Sequence, residues 1–511
     1  MQHDDPTTIP AVQPLDAHNR RLLQNVHPPD WANPQPADRY HLVVIGAGTA
    51  GLVTAAIGAA LGARVALVER ELMGGDCLNV GCVPSKAVLA AARAWHAART
   101  AAARFHGPAA QGDGDFAAVM ERMRRIRADI SPVDGAPRFR DELGVDVFLG
   151  DACFVADDAV EVDGRRLRFH RAVIATGGRA AIPSIEGIGS VACLTNETVF
   201  SLTERPEHLA VIGGGPIGCE LAQAFVRFGA RVTVIESGPR ILPHDDPDAA
   251  EVVAAALRRD GVEVLTDARV DSVARDGAGK RIRLTRGGTS SEIAASHLLV
   301  AAGRAPNVEG LGLEAAAVEF DGDGVRVDER MRTSNPRVYA IGDVASKFKF
   351  THAADAQARM VVRNALFFGR GKADDLVIPW CTYTSPELAH VGIAPDEVAQ
   401  AGDEVQTITI PLGEVDRART DGETEGFVRV HVRAGSDTIL GATIVAEHAG
   451  ELISQVTQAM TAGVGLGRLG ETIYPYPTTA EALRKAADAW RRGKLTPTAK
   501  RAFGLFFRAV R

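Results

Sequence analysis

The sequence predicts an α/β protein in which one strand–turn–helix–strand unit occurs twice and an α+β segment follows. Three observations carry this. The stretches HLVVIGAGTAG (41–51) and LAVIGGGPIG (209–218) share one grammar: an apolar β-branched run, GxGxxG, then an Ala-rich helix. The chain has 511 residues, too many for a single hydrophobic core, so several lobes are expected. Glycine fills 52 positions without a three-residue period, above the usual share of roughly 7%, which calls for many tight turns.

Bulk properties narrow the function classes. With 46% hydrophobic and 24% charged residues, the composition is that of a globular protein and excludes general disorder. A formal charge of -7 and a pI near 6.1 exclude a dominant nucleic-acid surface, which needs a basic face. Six cysteines are too sparse for a disulfide scaffold. The first residues are acidic and Pro-rich without the apolar run of a secretion signal, so the expected compartment is the cytoplasm. Residues 42–63 carry no charge and are long enough to cross a bilayer of about 30 Å. The glycines within them make a buried strand, a glycine turn and a small-residue helix the better reading.

Each repeated unit closes on a second strand ending in an acid: RVALVER carries Glu69 and RVTVIES carries Glu236, each 23 positions after the first glycine of its motif. A complete unit of this kind binds a dinucleotide. The first glycine (Gly46, Gly213) makes the turn, and the second (Gly48, Gly215) lets backbone N–H groups approach a pyrophosphate. The third (Gly51, Gly218) packs helix on strand, the helix N-terminus faces the phosphates, and the acid accepts from a ribose hydroxyl. Two units imply two dinucleotides; the bland alternative is a pair of glycine-rich turns in ordinary α/β structure.

Three further apolar runs end on small residues: AVIATGG (172–178), LLVAAGRAPN (298–307) and VYAIGDVA (338–345). They put Ala175, Thr176, Gly177, Gly303, Arg304, Gly342 and Asp343 at the carboxyl edge of a sheet, where ligands of doubly wound folds sit. The expected organisation is an extension over 1–39, a first nucleotide domain over 40–185 and 307–377, and a second over 186–306 inserted within it. An α+β domain over 378–490 opens at IPWCTYTSPELAHVG and contains strands such as FVRVHV (427–432), and a basic tail fills 491–511.

The segment GGDCLNVGCVPSK (74–86) holds Cys77 and Cys82, with an Ala-rich helix beginning beside the second. A zinc site would need two more soft ligands at comparable spacing, and the cysteines at 153, 193, 219 and 381 are scattered singly, so no metal site is expected. Two unrelated buried thiols are the ordinary alternative. The functional reading is a redox-active pair, because a helix N-terminus stabilises a thiolate and a second cysteine within one turn can resolve a mixed disulfide. Lys86 adds positive charge on the same helix face.

This segment resembles the signature of the FAD-dependent pyridine nucleotide–disulfide oxidoreductases, and the paired units, the cysteine pair and the interface domain occur in that family's order. The resemblance implies two Rossmann-like dinucleotide-binding domains, one for FAD and one for NAD(P)H, and a C-terminal α+β dimerisation domain in a homodimer. It implies Cys77 as the exchange thiol and Cys82 as the thiol that contacts the flavin. Glu69 and Gly75 are then FAD contacts, Asp343 meets the ribityl and phosphate region, and Lys86 pairs with Glu220 beside the isoalloxazine. Glu236, followed by Ser237 and Gly238, suits a free 2′-hydroxyl and favours NADH over NADPH, tempered by Arg240.

One departure bears on the substrate. YPYPTTAE (474–481) matches the family's His-Pro-Thr-x-x-Glu at Pro477, Thr478 and Glu481, but Tyr476 stands where the base belongs. Tyrosine, with a pKa near 10 against roughly 6.5 for histidine, is a poor proton shuttle at neutral pH. In this the chain is similar to mercuric reductase-like members, whose metal acceptor needs no proton on leaving. No cysteine follows Cys381 or precedes Cys77, so their C-terminal cysteine pair and N-terminal metal-binding domain are not expected here. The expected acceptor is a soft metal ion or a specialised disulfide or organosulfur compound. A dihydrolipoamide dehydrogenase-like activity is the first alternative. A membrane-peripheral NADH:quinone reductase is the second, and the cysteine pair argues against it. His352, Cys193, Cys219 and Cys381 read as structural. The head, with Trp31, is expected to wrap over the surface. The tail, with Phe503, Leu505, Phe506, Phe507 and Val510, is expected either to lie at a membrane interface or to pack on its own dimer.

Overall fold

The computed structural model describes residues 12–110, 112 and 114–510. These form two compact units: the chain up to Arg99 with Ala110–Ser237 and Ala268–Leu376, and Thr100–Ala109 with Gly238–Asp267 and the chain from Val377 on.

The first unit is built on a parallel sheet whose strands lie in the order Asp146–Leu149, Val65–Glu69, Tyr40–Ile45, Arg165–Ile174. The strand Val338–Ala340 adds to its far side by pairing in parallel with Ala172–Ile174, so chain that follows the second nucleotide unit completes the sheet begun before it. Side chains alternate between faces along a strand. Leu42 and Val44 accordingly enter one core cluster and Val43 and Ile45 another, which is why this run reads as continuously apolar. The helix Thr49–Ala60 lies close on the sheet, since a Cβ on Gly58 would come within 3.2 Å of Leu42 and Val65. In the second unit of the repeat, His208–Ile212 pairs in parallel with Arg231–Ile235 and with His297–Val300, followed in chain order by the helix Pro216–Arg227. A three-stranded antiparallel meander, Ala268–Asp276, Gly279–Arg286 and Thr289–Ala295, precedes the last of these strands.

The head does more than wrap the surface. Ala17–Val26 is a helix capped by Asp16, whose carboxylate accepts from Asn19 N at 2.8 Å. Its spacing sends Leu22 and Val26 into the same core cluster as the first sheet. An N-cap acid followed by apolar residues one turn apart was the signal for it.

The second compact unit centres on a five-stranded antiparallel sheet in the order Pro379–Thr382, Glu387–Gly392, Ile439–Ala446, Phe427–Arg433, Val405–Pro411. Ile453 and Val456 of the helix Ala449–Thr461 and Leu483 and Trp490 of Glu481–Gly493 share its core. Arg429 ties in the segment Gly238–Asp267 through Asp246 at 2.6 Å and Asp248 at 2.8 Å. Among the described residues no helix is long and apolar enough to cross a membrane.

Candidate active site

The two glycine turns have nearly the same backbone. Gly46 and Gly213 take φ of +98° and +107°, a region open to glycine, and a Cβ on either would lie 2.4 Å from the carbonyl oxygen of Ala175 or Ala301. A Cβ on Gly51 would lie 1.8 Å from Gly46 O, and one on Gly218 would lie 2.1 Å from Gly213 O. Outer glycines are therefore demanded by the protein itself. The middle ones are not: Gly48 would meet nothing nearer than Gly75 Cα at 3.7 Å, and Gly215 nothing within 4 Å. Their bareness leaves a cradle that a Cβ would fill, and this fits the approach of a pyrophosphate at each turn. The terminal acids fold back on these turns. Glu69 accepts from Ala47 N at 2.6 Å and Glu71 N at 2.8 Å, and Glu236 accepts from Gly214 N at 2.7 Å. Burial pushes the Glu69 carboxyl above the usual range, against those two N–H groups.

The small-residue segments meet at the sheet edge through Arg304 and Asn307. Thr176 donates to Asn307 O at 2.7 Å, and Asn307 Nδ2 returns a bond to Thr176 O at 2.9 Å. Gly177 and Gly303 hold φ of +67° and +124°. Arg304 donates to Asp343 at 3.1 Å, to Gly178 O at 2.6 Å and to Asp76. It joins the glycine segments to the residue that precedes Cys77. Asp343, raised by burial, follows Gly342, whose N–H reaches Gln357 at 2.9 Å.

Gly74 and Gly75, at φ of +89° and +55°, turn the chain into the short helix Gly75–Asn79, and Cys82 opens the long helix Cys82–Phe105. Both thiols are free. Thr351 Oγ1 lies 3.4 Å from Cys82 Sγ. One turn along the helix, Lys86 Nζ is 2.8 Å from the buried Glu220. The interaction with Cys77, with that from Thr351 and the charge of Lys86, pulls the Cys82 thiol down to about 6. Its interaction with Cys82 and its partial burial push Cys77 up. The direction of these effects favours the thiolate at Cys82, beside Thr351.

A brace on this loop escaped the sequence reading. Arg127 Nη1 donates to Asn79 O and Nη2 to Asn19 Oδ1 of the head helix, both at 2.6 Å. Met73 N donates to Val26 O at 3.1 Å. Burial lowers Arg127 to about 10, still charged at neutral pH. Asn79 lies between the two cysteines in sequence, so the head helix steadies the redox loop. Thr351 was also missed, although its neighbour His352 was singled out; His352 stacks flat on Phe350 with ring centres 5.5 Å apart.

Tyr476 and Glu481 belong to the second compact unit. Tyr476 is 72% exposed and its hydroxyl donates to Asp416 at 3.2 Å, not to Glu481. That bond raises the phenol above its ordinary pKa. Glu481 is buried and accepts from Arg484. Cys219 is fully buried, with Sγ 3.3 Å from Gly214 O. No cluster of three His, Cys, Asp or Glu among the described residues suits a metal ion.

Comparison with known proteins identifies the family. Residues 40–358 match the pyridine nucleotide-disulphide oxidoreductase family and residues 378–487 its dimerisation domain. A mercuric reductase of Streptomyces lividans is 38% identical over 88% of this chain and 96% of its own length. A dihydrolipoyl dehydrogenase of Thermus scotoductus is 36% identical over 88% and 97%. The solved structure of an HOCl-induced flavoprotein disulfide reductase from Escherichia coli superposes with a TM-score of 0.78 at 28% identity, covering 88% of this chain and 99% of that one, and the same enzyme is also known as a Cu(II) complex. With its glycine cradles, its terminal acids and its free cysteine pair, the chain belongs to the class I pyridine nucleotide–disulfide oxidoreductases, FAD- and pyridine nucleotide-dependent enzymes with a C-terminal dimerisation domain.

Proposed function

We propose that this chain is an NADH-dependent reductase that passes electrons through Cys77 and Cys82 to a soft metal ion, with Hg(II) as the leading acceptor. The reaction balances as NADH plus Hg(II) giving NAD⁺, Hg(0) and a proton. Bound FAD supplies the relay of two electrons from nicotinamide to the cysteine pair. The glycine turns would seat the two dinucleotides, Lys86 paired with Glu220 would hold the Cys82 thiolate, and Cys77 would meet the acceptor. Thiolate sulfur is a soft ligand suited to such an ion.

The observation that carries this reading is Tyr476. A phenol, with its ordinary pKa near 10, keeps its proton at neutral pH, and the bond to Asp416 raises it further, so it is poorly matched to the proton cycling that a departing thiolate needs. A reduced metal leaves without one. The mercuric reductase relatives, and the disulfide reductase known with Cu(II), support an acceptor of this class. For the nicotinamide, Glu236 disfavours a 2′-phosphate, and Arg240 is engaged by Pro243 O at 2.7 Å.

The test is an anaerobic acceptor screen of the pure holoenzyme with Hg(II), Cu(II), lipoamide and glutathione disulfide. Hg(II)-dependent NADH oxidation should dominate, and Tyr476→His should raise disulfide turnover while leaving metal turnover equal or lower. Fast lipoamide reduction by the wild type, with no gain in Tyr476→His, would make the enzyme a dihydrolipoyl dehydrogenase-like disulfide reductase and overturn the proposal.

A further inference from the structure

The chain beyond residue 490 lies outside the matched dimerisation domain, which ends at 487. Between 491 and 511 it holds seven Lys or Arg and no Asp or Glu, in a chain whose overall charge is -7. The helix Pro497–Ala509 starts on a local signal: Thr496 Oγ1 accepts from Ala499 N at 3.2 Å and Pro497 takes the first helical position. None of its residues is buried. Phe503 is 52% exposed, Phe506 59%, Phe507 65% and Val510 67%. At an α-helical turn of about 100° per residue, these four fall on one face, Arg501 and Arg508 on the opposite face, and Lys500 at the margin beside Phe507. A helix of this length is marginal in water by itself, so its apolar face calls for a cover.

We propose that this tail helix binds an anionic lipid surface, lying in the plane of the interface. The cover has to be apolar under the phenylalanines and negative beside them. A bilayer rich in acidic headgroups meets both demands, with the rings at the acyl boundary and the cations among the phosphates. The tail of a second copy meets only the first, since it brings the same unbalanced positive charge. The attachment is peripheral and salt-sensitive, because no described helix spans a bilayer and the attraction between cations and headgroups is screened by salt.

The test is flotation of the full-length holoenzyme with phosphatidylcholine vesicles, with and without phosphatidylglycerol. The protein should float only with the anionic vesicles and come off at high salt. Changing Lys500→Ala, Arg501→Ala and Arg508→Ala together should weaken binding about a hundredfold, at roughly fivefold per charge. Phe506→Glu with Phe507→Glu should abolish it. Deletion of 495–511 should abolish binding while the dimer and the soluble NADH-dependent turnover stay as in the full chain. Absence of binding to anionic vesicles, or equal binding to neutral ones, overturns the proposal. So does dissociation of the dimer on that deletion, which would make a second copy the cover.

Discussion

In the turn after Tyr40–Ile45 the middle glycine faces Gly75 Cα of the redox loop, 3.7 Å from where its Cβ would be; in the turn after His208–Ile212 nothing lies within 4 Å of the same position. From the other side, a Cβ on Gly75 would come 2.6 Å from Gly48 Cα. Two turns with matching dihedrals and matching acids therefore differ in their surroundings. The first is enclosed by the segment that carries Cys77, which suits a cofactor that stays bound. The second is open, which suits one that arrives and leaves on every turnover. The motif specifies the cradle at both turns, and the chain packed around it differs between them.

The largest expected effects separate the glycines that the protein demands from those that a ligand demands. Gly51→Ala and Gly218→Ala each drive a Cβ into a backbone carbonyl and should each cost about 2–4 kcal/mol of stability. Gly215→Ala meets no protein atom and should change stability by less than about 0.5 kcal/mol while raising KM for the nicotinamide. Denaturant unfolding of the holoenzyme beside steady-state kinetics reads both. Equal destabilisation by Gly215→Ala and Gly218→Ala would show that the middle glycine, too, is demanded by the protein's own packing.

Next comes the enclosure of the first turn. Asn19→Leu removes the side-chain acceptor of a buried arginine, and a lost bond to a buried charged group costs about 1.5–3 kcal/mol. The redox loop should loosen over Gly48, and the rate of FAD release should rise while KM for NADH holds. Unchanged flavin release would show that the head helix does not steady the enclosing loop.

The terminal acids should then diverge. Glu236→Ala should narrow the preference for NADH over NADPH by about tenfold in kcat/KM, the factor that about 1.4 kcal/mol supplies. Glu69→Ala should instead lower FAD content and leave the nicotinamide preference alone. A Glu236→Ala enzyme with an unaltered ratio would remove that residue from the discrimination.

Much of this architecture was legible because it is written in short-range patterns. The GxGxxG turns, the acids 23 positions on and the cysteine pair are each local, and the paired bond of Lys86 with Glu220 came with the family resemblance. The Arg127 brace was not legible, because its three participants, Asn19, Asn79 and Arg127, are far apart in sequence and of residue types that are mostly exposed. Nor was Thr351: a threonine at the first position of a helix reads as a helix-start residue, and only the fold brings its hydroxyl to Cys82. The bond of Tyr476 with Asp416 is of the same kind, a contact across a loop that no periodicity announces.

The smallest effect tests what the enclosing loop holds. Cys82 is depressed to about 6, so its thiolate is present above that pH and is lost as pH falls through it. In the reduced holoenzyme, absorbance from the thiolate beside bound flavin should fade with a midpoint near that value. Thr351 contributes one of the hydrogen bonds that hold the charge, and a single bond is worth about 1 kcal/mol, somewhat less than one pH unit. Thr351→Val should therefore raise the midpoint by under about one unit, and Thr351→Ser should restore it. The Cys77→Ser variant should raise it further, since the interaction with Cys77 is the larger cause and a hydroxyl repositions it. A midpoint that ignores Thr351→Val but moves in Cys77→Ser would take the helix Thr351–Phe367 out of the depression and leave it to Cys77 and the charge of Lys86.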